Sequence, residues 1–258
     1  NIRKNYGALQ VLKGVDVNYI QRSSTSDTGI SVAFNFNEDR AMVTYPGAMT
    51  ELEESHITDS MLQNAGHLHV SSIFLQPRLK PRLALLFSRA KNLGLTTSLD
   101  PQWDPAEKWD CHWHELLRYT DIFLPNIEEI KNITAKPTAE HAMEALKEHC
   151  KVMVIKNGKE GAIIWTGNKI LHQPAFVNNH VADAIGAGDS FNAGFIHSFV
   201  QEKTIGECAE FGALCGAINT TRSGGTAAFT DIDTVKRIAL QKFNYHIHDH
   251  ERKTRKVY

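Results

Sequence analysis

A chain of 258 residues, 42% hydrophobic and 22% charged, can bury one large core, or one core with a small appendage, and lacks the composition of a disordered segment. Lys and Arg number 28 against 29 Asp and Glu, a balance that draws the protein neither to nucleic acid nor to an anionic membrane and leaves a small molecule as the expected partner. No apolar run approaches the ~20 residues that span a bilayer, and the opening NIRKNYGALQ lacks a signal-peptide centre.

From Gly29 the string GISVAFNFNEDRAMVTY reads as two β-rich runs about the polar turn Asn37-Glu38-Asp39. Its alternation predicts a hairpin with one wet face, a flap or an edge. Beyond residue 65 short apolar runs alternate with helical ones. The pattern predicts strands over 67–75, 95–99, 121–124 and 152–155, and helices over 80–92 and 138–149. Such alternation means βαβ units and a parallel sheet covered on both faces. An antiparallel hairpin is expected over 161–165 and 169–172, about Thr166-Gly167-Asn168.

The last third reads mostly as helix. The segment 188–200 places Phe191, Phe195, Ile196 and Phe199 on one stripe, Thr204-Ile205-Gly206-Glu207 is a capping box, and 231–243 predicts a further helix. The polar tail 246–258 is expected to fray. Cys111, Cys150, Cys208 and Cys215 form no CxxC pair and are expected to be reduced, as in a cytoplasmic protein.

The chemistry concentrates in DAIGAGDSF, residues 183–191. Gly186 and Gly188 precede a strongly periodic helix, so backbone N–H groups at a helix N-terminus can face an anion closely. Asp189 falls in the first helical turn, where the dipole favours a carboxylate able to take a proton from an attacking hydroxyl. Taken alone, the same string reads as a tight turn and a helix cap. It has neither the third glycine of GxGxxG nor a GK[ST] Walker loop.

The whole string resembles DTTGAGDxF, the C-terminal signature of the ribokinase-like (PfkB) carbohydrate kinases. Asp183, Gly186, Ala187, Gly188, Asp189 and Phe191 match, with Ala184 and Ile185 in place of two threonines. The resemblance runs across nearly the entire chain in the family's order. Asn126 and Glu129 of LPNIEEI look like the NxxE motif that sits near magnesium-bound phosphates. One helical turn separates them, so an amide and a carboxylate can face one water or metal; the bland alternative is an N-cap asparagine with an exposed glutamate.

The run from Lys156 through Gly158 to Gly161 resembles the TxGxxG nucleotide loop, lysine replacing threonine. FGALCGAINTTRSGGTAAF resembles the helix and loop around adenine, which implies Gly216, Ala217 and Asn219 near the base. Asp183, the Ile185 carbonyl and the loop 224–226 would then hold a monovalent cation, K+, while a small-residue helix that only packs closely explains the same residues. SLDPQWDPAEKWD departs at Gln102 and Trp103 from the aspartate with asparagine or arginine that relatives carry near the active-site floor. The scattered histidines, among them His67, His69, His112, His114, His246, His248 and His250, are assigned no metal.

The resemblance implies a three-layer α/β/α sandwich with a mostly parallel sheet and a small β lid, ATP and Mg2+ as cofactors, and a fructose- or ribose-like substrate. Asp189 is then the base, and Gly186, Ala187 and Gly188 form the anion hole. The expected organisation is 1–64 as a remnant of the N-terminal region with the lid at about 15–46, 65–245 as the core and 246–258 as the tail. The family's opening strand and GG loop have no counterpart, so the chain is expected to be a piece of a longer protein, whose lid closes over the sugar and pairs two subunits in some relatives. A non-catalytic binding protein, a nucleoside or sugar-acid kinase, and a nicotinamide dehydrogenase are the competing classes; the last would need GxGxxG in the first βα turn.

Overall fold

The structure, a computed structural model, describes residues 14–36 and 39–247. The chain forms two compact units, 1–153 and 154–258. Strand β6 (Val152–Lys156) closes the first and opens the second.

The first unit opens with the expected hairpin, β1 (Thr28–Phe36) against β2 (Asp39–Gly47), a two-stranded antiparallel sheet of its own. Ile30 pairs with Tyr45 and Val32 with Val43. Side chains alternate along a strand, so these four share one face with Phe34. All five are exposed. The other face is polar where Ser31 Oγ meets Thr44 Oγ1 at 2.8 Å. Asn37 and Glu38 of the predicted turn and the tail beyond residue 247 lie outside the described residues.

Helix α1 (Asp59–Gln63) starts where the Thr58 hydroxyl accepts the Met61 N–H at 3.3 Å. Parallel strands β3 (His67–Ser71), β4 (Thr96–Asp100) and β5 (Ile122–Phe123) come next, with α2 (Leu83–Asn92), α3 (Trp113–Arg118), α4 (Ile127–Thr134) and α5 (Ala139–Leu146) between and after them. Two expectations are corrected. The first strand stops at Ser71, not 75, because Ser72 turns left-handed and Ile73–Leu75 coils into a 3-10 turn. The helix predicted from residue 80 begins at Leu83, because Lys80–Arg82, with Pro81 inside it, forms a 3-10 turn first.

Register pairs His67 with Thr96, Ser98 with Ile122 and Ile122 with Val152. Thr97, Ser98, Leu99, Ile122 and Phe123 are all buried, as a parallel sheet covered on both faces requires. Leu86, Phe87 and Ala90 of α2 are wholly buried, as are Leu116 and Leu117 of α3 within 1%. Truncating a ring such as Phe87 to Ala costs ~3–5 kcal/mol in cores of this kind. At the amino ends of the strands burial pushes the Asp121 carboxyl up, but Lys151 at 2.8 Å, Lys91 at 2.5 Å and the Thr97 N–H outweigh it and hold it below the usual range.

In the second unit β7 (Ala162–Trp165) and β8 (Ile170–Gln173) are antiparallel, so the hydrogen-bonded order β3-β4-β5-β6-β7-β8 follows the sequence. Helices α6 (Ala187–Val200), α7 (Ile205–Asn219) and α8 (Ile232–Phe243) complete it. Thr204 and Glu207 form the predicted capping box and Asp231 caps α8. A Cβ on Gly194 would stand 2.8 Å from Cys215 Sγ, so a missing side chain lets α6 and α7 pack backbone to backbone. The cysteines form no disulfide, and burial pushes the Cys150, Cys208 and Cys215 thiols up to about 12.

Candidate active site

The N-terminus of α6 is built from the glycines of DAIGAGDSF. Gly186 is its N-cap in left-handed backbone (φ 76°, ψ 4°), with no side chain capping the helix. A Cβ here would meet the Gly225 Cα and carbonyl oxygen at 3.1 Å and Asn219 Nδ2 at 3.4 Å. Conformation and space therefore both demand glycine. Ser190 N–H closes the first turn on the Gly186 carbonyl at 2.8 Å. Ala187, Gly188 and Asp189 occupy that turn, and the Asp189 side chain is exposed. An exposed carboxylate beside the positive end of a helix can accept a proton while the amides face an anion.

Lys156, the last residue of β6, reaches the same turn. Its Nζ donates to Asn192 Oδ1 at 3.2 Å and lies 3.8 Å from where a Gly188 Cβ would stand. The glycine thus leaves a hollow with an ammonium on its wall. Asn192 is 2% exposed and was missed in the sequence, where the only signal is a polar residue between Phe191 and Phe195 on an otherwise apolar stripe.

Asp183 ties the turn to the C-terminal loop: Oδ1 accepts Ile185 N–H at 2.9 Å and Oδ2 accepts Gly224 N–H at 3.1 Å. The Ile185 carbonyl faces Gly225, 3.8 Å from an added Cβ there. Asp183, Ile185 and the 224–226 loop therefore lie together, and carboxylate and carbonyl oxygens are hard donors. Asn219 Nδ2 donates to Ser190 Oγ at 3.1 Å and to the Gly225 carbonyl, and Asn219 Oδ1 is buried without a partner among the described residues. A donor such as an exocyclic amine or a water would complete it. Gly216 lies in helix packing, its added Cβ 3.2 Å from the Ala187 carbonyl.

Gly158 (φ 52°) and Gly161 (φ 94°) bound a 3-10 turn after Lys156. Asn157 N–H reaches the Gly161 carbonyl at 2.8 Å, and a Cβ on Gly161 would fall 2.0 Å from the Gln173 carbonyl oxygen. Gly161 is fixed by the chain passing over it.

In the first unit Asn126 follows β5 and caps α4. Its Oδ1 accepts Glu129 N–H at 2.8 Å, while Glu129 Oε2 and Oε1 accept the Asn126 N–H and Nδ2 at 2.8 and 2.7 Å. Glu129 is 5% exposed, contrary to the bland expectation of an exposed side chain. A carboxylate oriented in this way is a hard oxygen donor of the kind that fits a metal held through water. Among the described residues no three His, Cys, Asp or Glu side chains gather to bind a metal directly; magnesium brought by phosphates keeps most of its waters and needs no such cage. His67 and His69 bond hydroxyls instead, both reaching Ser98 Oγ at 2.7 Å.

The family described as pfkB family carbohydrate kinase matches residues 12–232. The chain is 30% identical over 230 residues to a 2-dehydro-3-deoxygluconokinase of Bacillus subtilis (strain 168), covering 84% of this chain and 71% of that protein. Among solved structures it resembles adenosine kinase from Sinorhizobium meliloti with a TM-score of 0.82 at 21% identity, over 93% of this chain and 74% of that one. Arabidopsis thaliana ribokinase complexed with ribose and ATP gives 0.73 at 23%, over 87% and 73%. The structural likeness shows the ribokinase-like α/β fold. With the family matching most of the chain, the protein belongs to the pfkB family carbohydrate kinases, phosphotransferases that act on an alcohol group.

Proposed function

We propose that the protein transfers the γ-phosphoryl group of Mg-ATP to a hydroxyl of a small carbohydrate of the fructose or ribose type. The observation that carries this is the first turn of α6, where Asp189 stands beside glycine-lined amides with the Lys156 ammonium over Gly188. In this reading Asp189 takes the hydroxyl proton, the amides of Gly186, Ala187 and Gly188 stabilise charge on the phosphoryl group, and Lys156 adds a positive charge beside them. Gly158 and Gly161 shape a loop that lets backbone approach the nucleotide, while Gly216 and Asn219 hold the adenine side of the pocket, Asn219 through its bonds to Ser190 and Gly225. Glu129, oriented by Asn126, holds magnesium through water, and Asp183 with the Ile185 carbonyl holds K+.

The magnesium supplies charge neutralisation on the phosphates. The β1–β2 hairpin is the lid, and its exposed face of Ile30, Val32, Phe34, Val43 and Tyr45 supports pairing with a second copy of the chain in a cytoplasmic homodimer. The name of the Bacillus subtilis relative favours a second reading, a sugar-acid acceptor. Measuring ADP release from Mg-ATP over a panel of ketoses, aldoses, nucleosides and keto-deoxy sugar acids tests both. Turnover with a free sugar supports the first, turnover only with a sugar acid the second, and turnover with none rejects the kinase assignment.

A further inference from the structure

Two non-glycine residues take left-handed backbone at the carboxyl ends of neighbouring parallel strands: Ser72 (φ 57°) after β3 and Gln102 (φ 54°) after β4. The last paired residues of those strands are Ser71 and Asp100, so both lie just past the sheet. Ser72 Oγ donates to Gln102 Oε1. The Gln76 amide holds the Ser71 and Ser72 carbonyls at 2.7 and 3.3 Å, and the buried Asp100 carboxylate accepts the Gln102 N–H at 3.1 Å. Left-handed backbone is disfavoured for any residue with a Cβ and persists where surroundings fix it, which binding sites do disproportionately.

Directly after Gln102 stands an indole on a rigid base. The Asp104 carboxylate, 3% exposed, accepts the N–H groups of Ala106, Lys108 and Trp109 at 2.9, 3.0 and 2.8 Å, winding the loop and burying Trp109. Trp103 packs edge to face on Trp109 with ring centroids 5.0 Å apart, yet remains 48% exposed. Asn126 also lies past a parallel strand of this unit at the same end, the end at which open α/β sheets bind ligands. We propose that Trp103 is a specificity-determining residue of the acceptor subsite, stacking against the C–H face of a neutral, cyclic monosaccharide, with Ser72 and Gln102 as positioning residues. A flat indole complements a ring's C–H face, and the carboxylates of Asp100, at the end of β4, and Asp104, in the loop that follows, disfavour an anionic acceptor. The inference rests on the carbohydrate-kinase reading and names its substrate class.

The test uses steady-state kinetics with D-fructose, D-ribose and 2-keto-3-deoxygluconate, together with intrinsic fluorescence of the nucleotide-free protein titrated with each. Trp103→Ala is expected to raise KM for the neutral sugar about ten- to a hundredfold with little change in kcat. Trp103→Phe should recover most of the loss, and the sugar-induced fluorescence change should vanish in both variants. A neutral sugar phosphorylated with an unaltered KM by Trp103→Ala overturns the subsite and leaves the kinase reading standing. Sugar-induced quenching that is lost in Trp103→Phe, without phosphoryl transfer by the unsubstituted protein, supports the subsite and rejects the kinase reading. A clear preference for the sugar acid, or neither quenching nor transfer, overturns the subsite. Comparing the titrations of the unsubstituted protein and Trp103→Phe decides the matter even if Trp103→Ala fails to fold.

Discussion

The Lys156 ammonium donates to the Asn192 side-chain oxygen at 3.2 Å, so a strand end and the second turn of α6 together hold one positive charge at that helix's N-terminus. If that charge stabilises the transferred phosphoryl group, Lys156→Met lowers kcat about a hundredfold, as loss of one preorganised donor does elsewhere. Arginine should restore part of it, and Asn192→Ala should cost less, about tenfold. Steady-state kinetics with saturating sugar read all three.

Asp183 accepts two backbone N–H groups, that of Ile185 two residues on and that of Gly224 41 residues on. Asp183→Ala removes both and leaves two N–H groups to find water, a loss of about 2–3 kcal/mol in denaturant unfolding. If the same carboxylate also helps hold K+, any activation of the unsubstituted enzyme by KCl over choline chloride should disappear in the variant.

His67 gives the fold an acid limit. Burial above all, with repulsion from His69 and Lys91 against an opposing pull from Asp121, lowers its imidazole from 6.5 to about 4. Its ring bonds Thr96 Oγ1 and Ser98 Oγ, each at 2.7 Å. The unfolded chain binds the proton more readily, so this contribution is fully present above pH 6.5 and is lost as pH falls through 4. The ring is only half-buried, which reduces the expected loss to about 2 kcal/mol. Urea unfolding between pH 7 and pH 4 should show that slope, and His67→Gln should flatten it.

The apolar face of the β1–β2 hairpin predicts association. If two copies cover it, Val43→Asp places a charge in the contact and shifts sedimentation toward the monomer. Helix content by circular dichroism should be unaffected, because the hairpin forms a sheet of its own.

The parallel sheet was legible in the sequence because β4 and β5 are solidly apolar or small and buried on both faces. The first turn of α6 was legible because Gly186 and Asp189 flag a turn and a cap in sequence order. The break at Ser72 was not, since IFLQ continues the apolar run of β3 and only the tie to Gln102, 30 residues on, reveals the left-handed turn. Asn192 escaped for a related reason: it is defined by its bond to Lys156, 36 residues away, and a local pattern carries no trace of that contact. Asn126 and Glu129 were legible as a local pair, and only the burial of Glu129 went against the reading of an exposed side chain.

The most direct test of the account is Asp189→Asn, which keeps the shape of the first turn of α6 and removes the base. Single-turnover transfer from Mg-ATP to the best sugar of the panel should slow about a thousandfold or more, with ATP affinity retained. Transfer at nearly the unsubstituted rate would show that Asp189 does not take the proton.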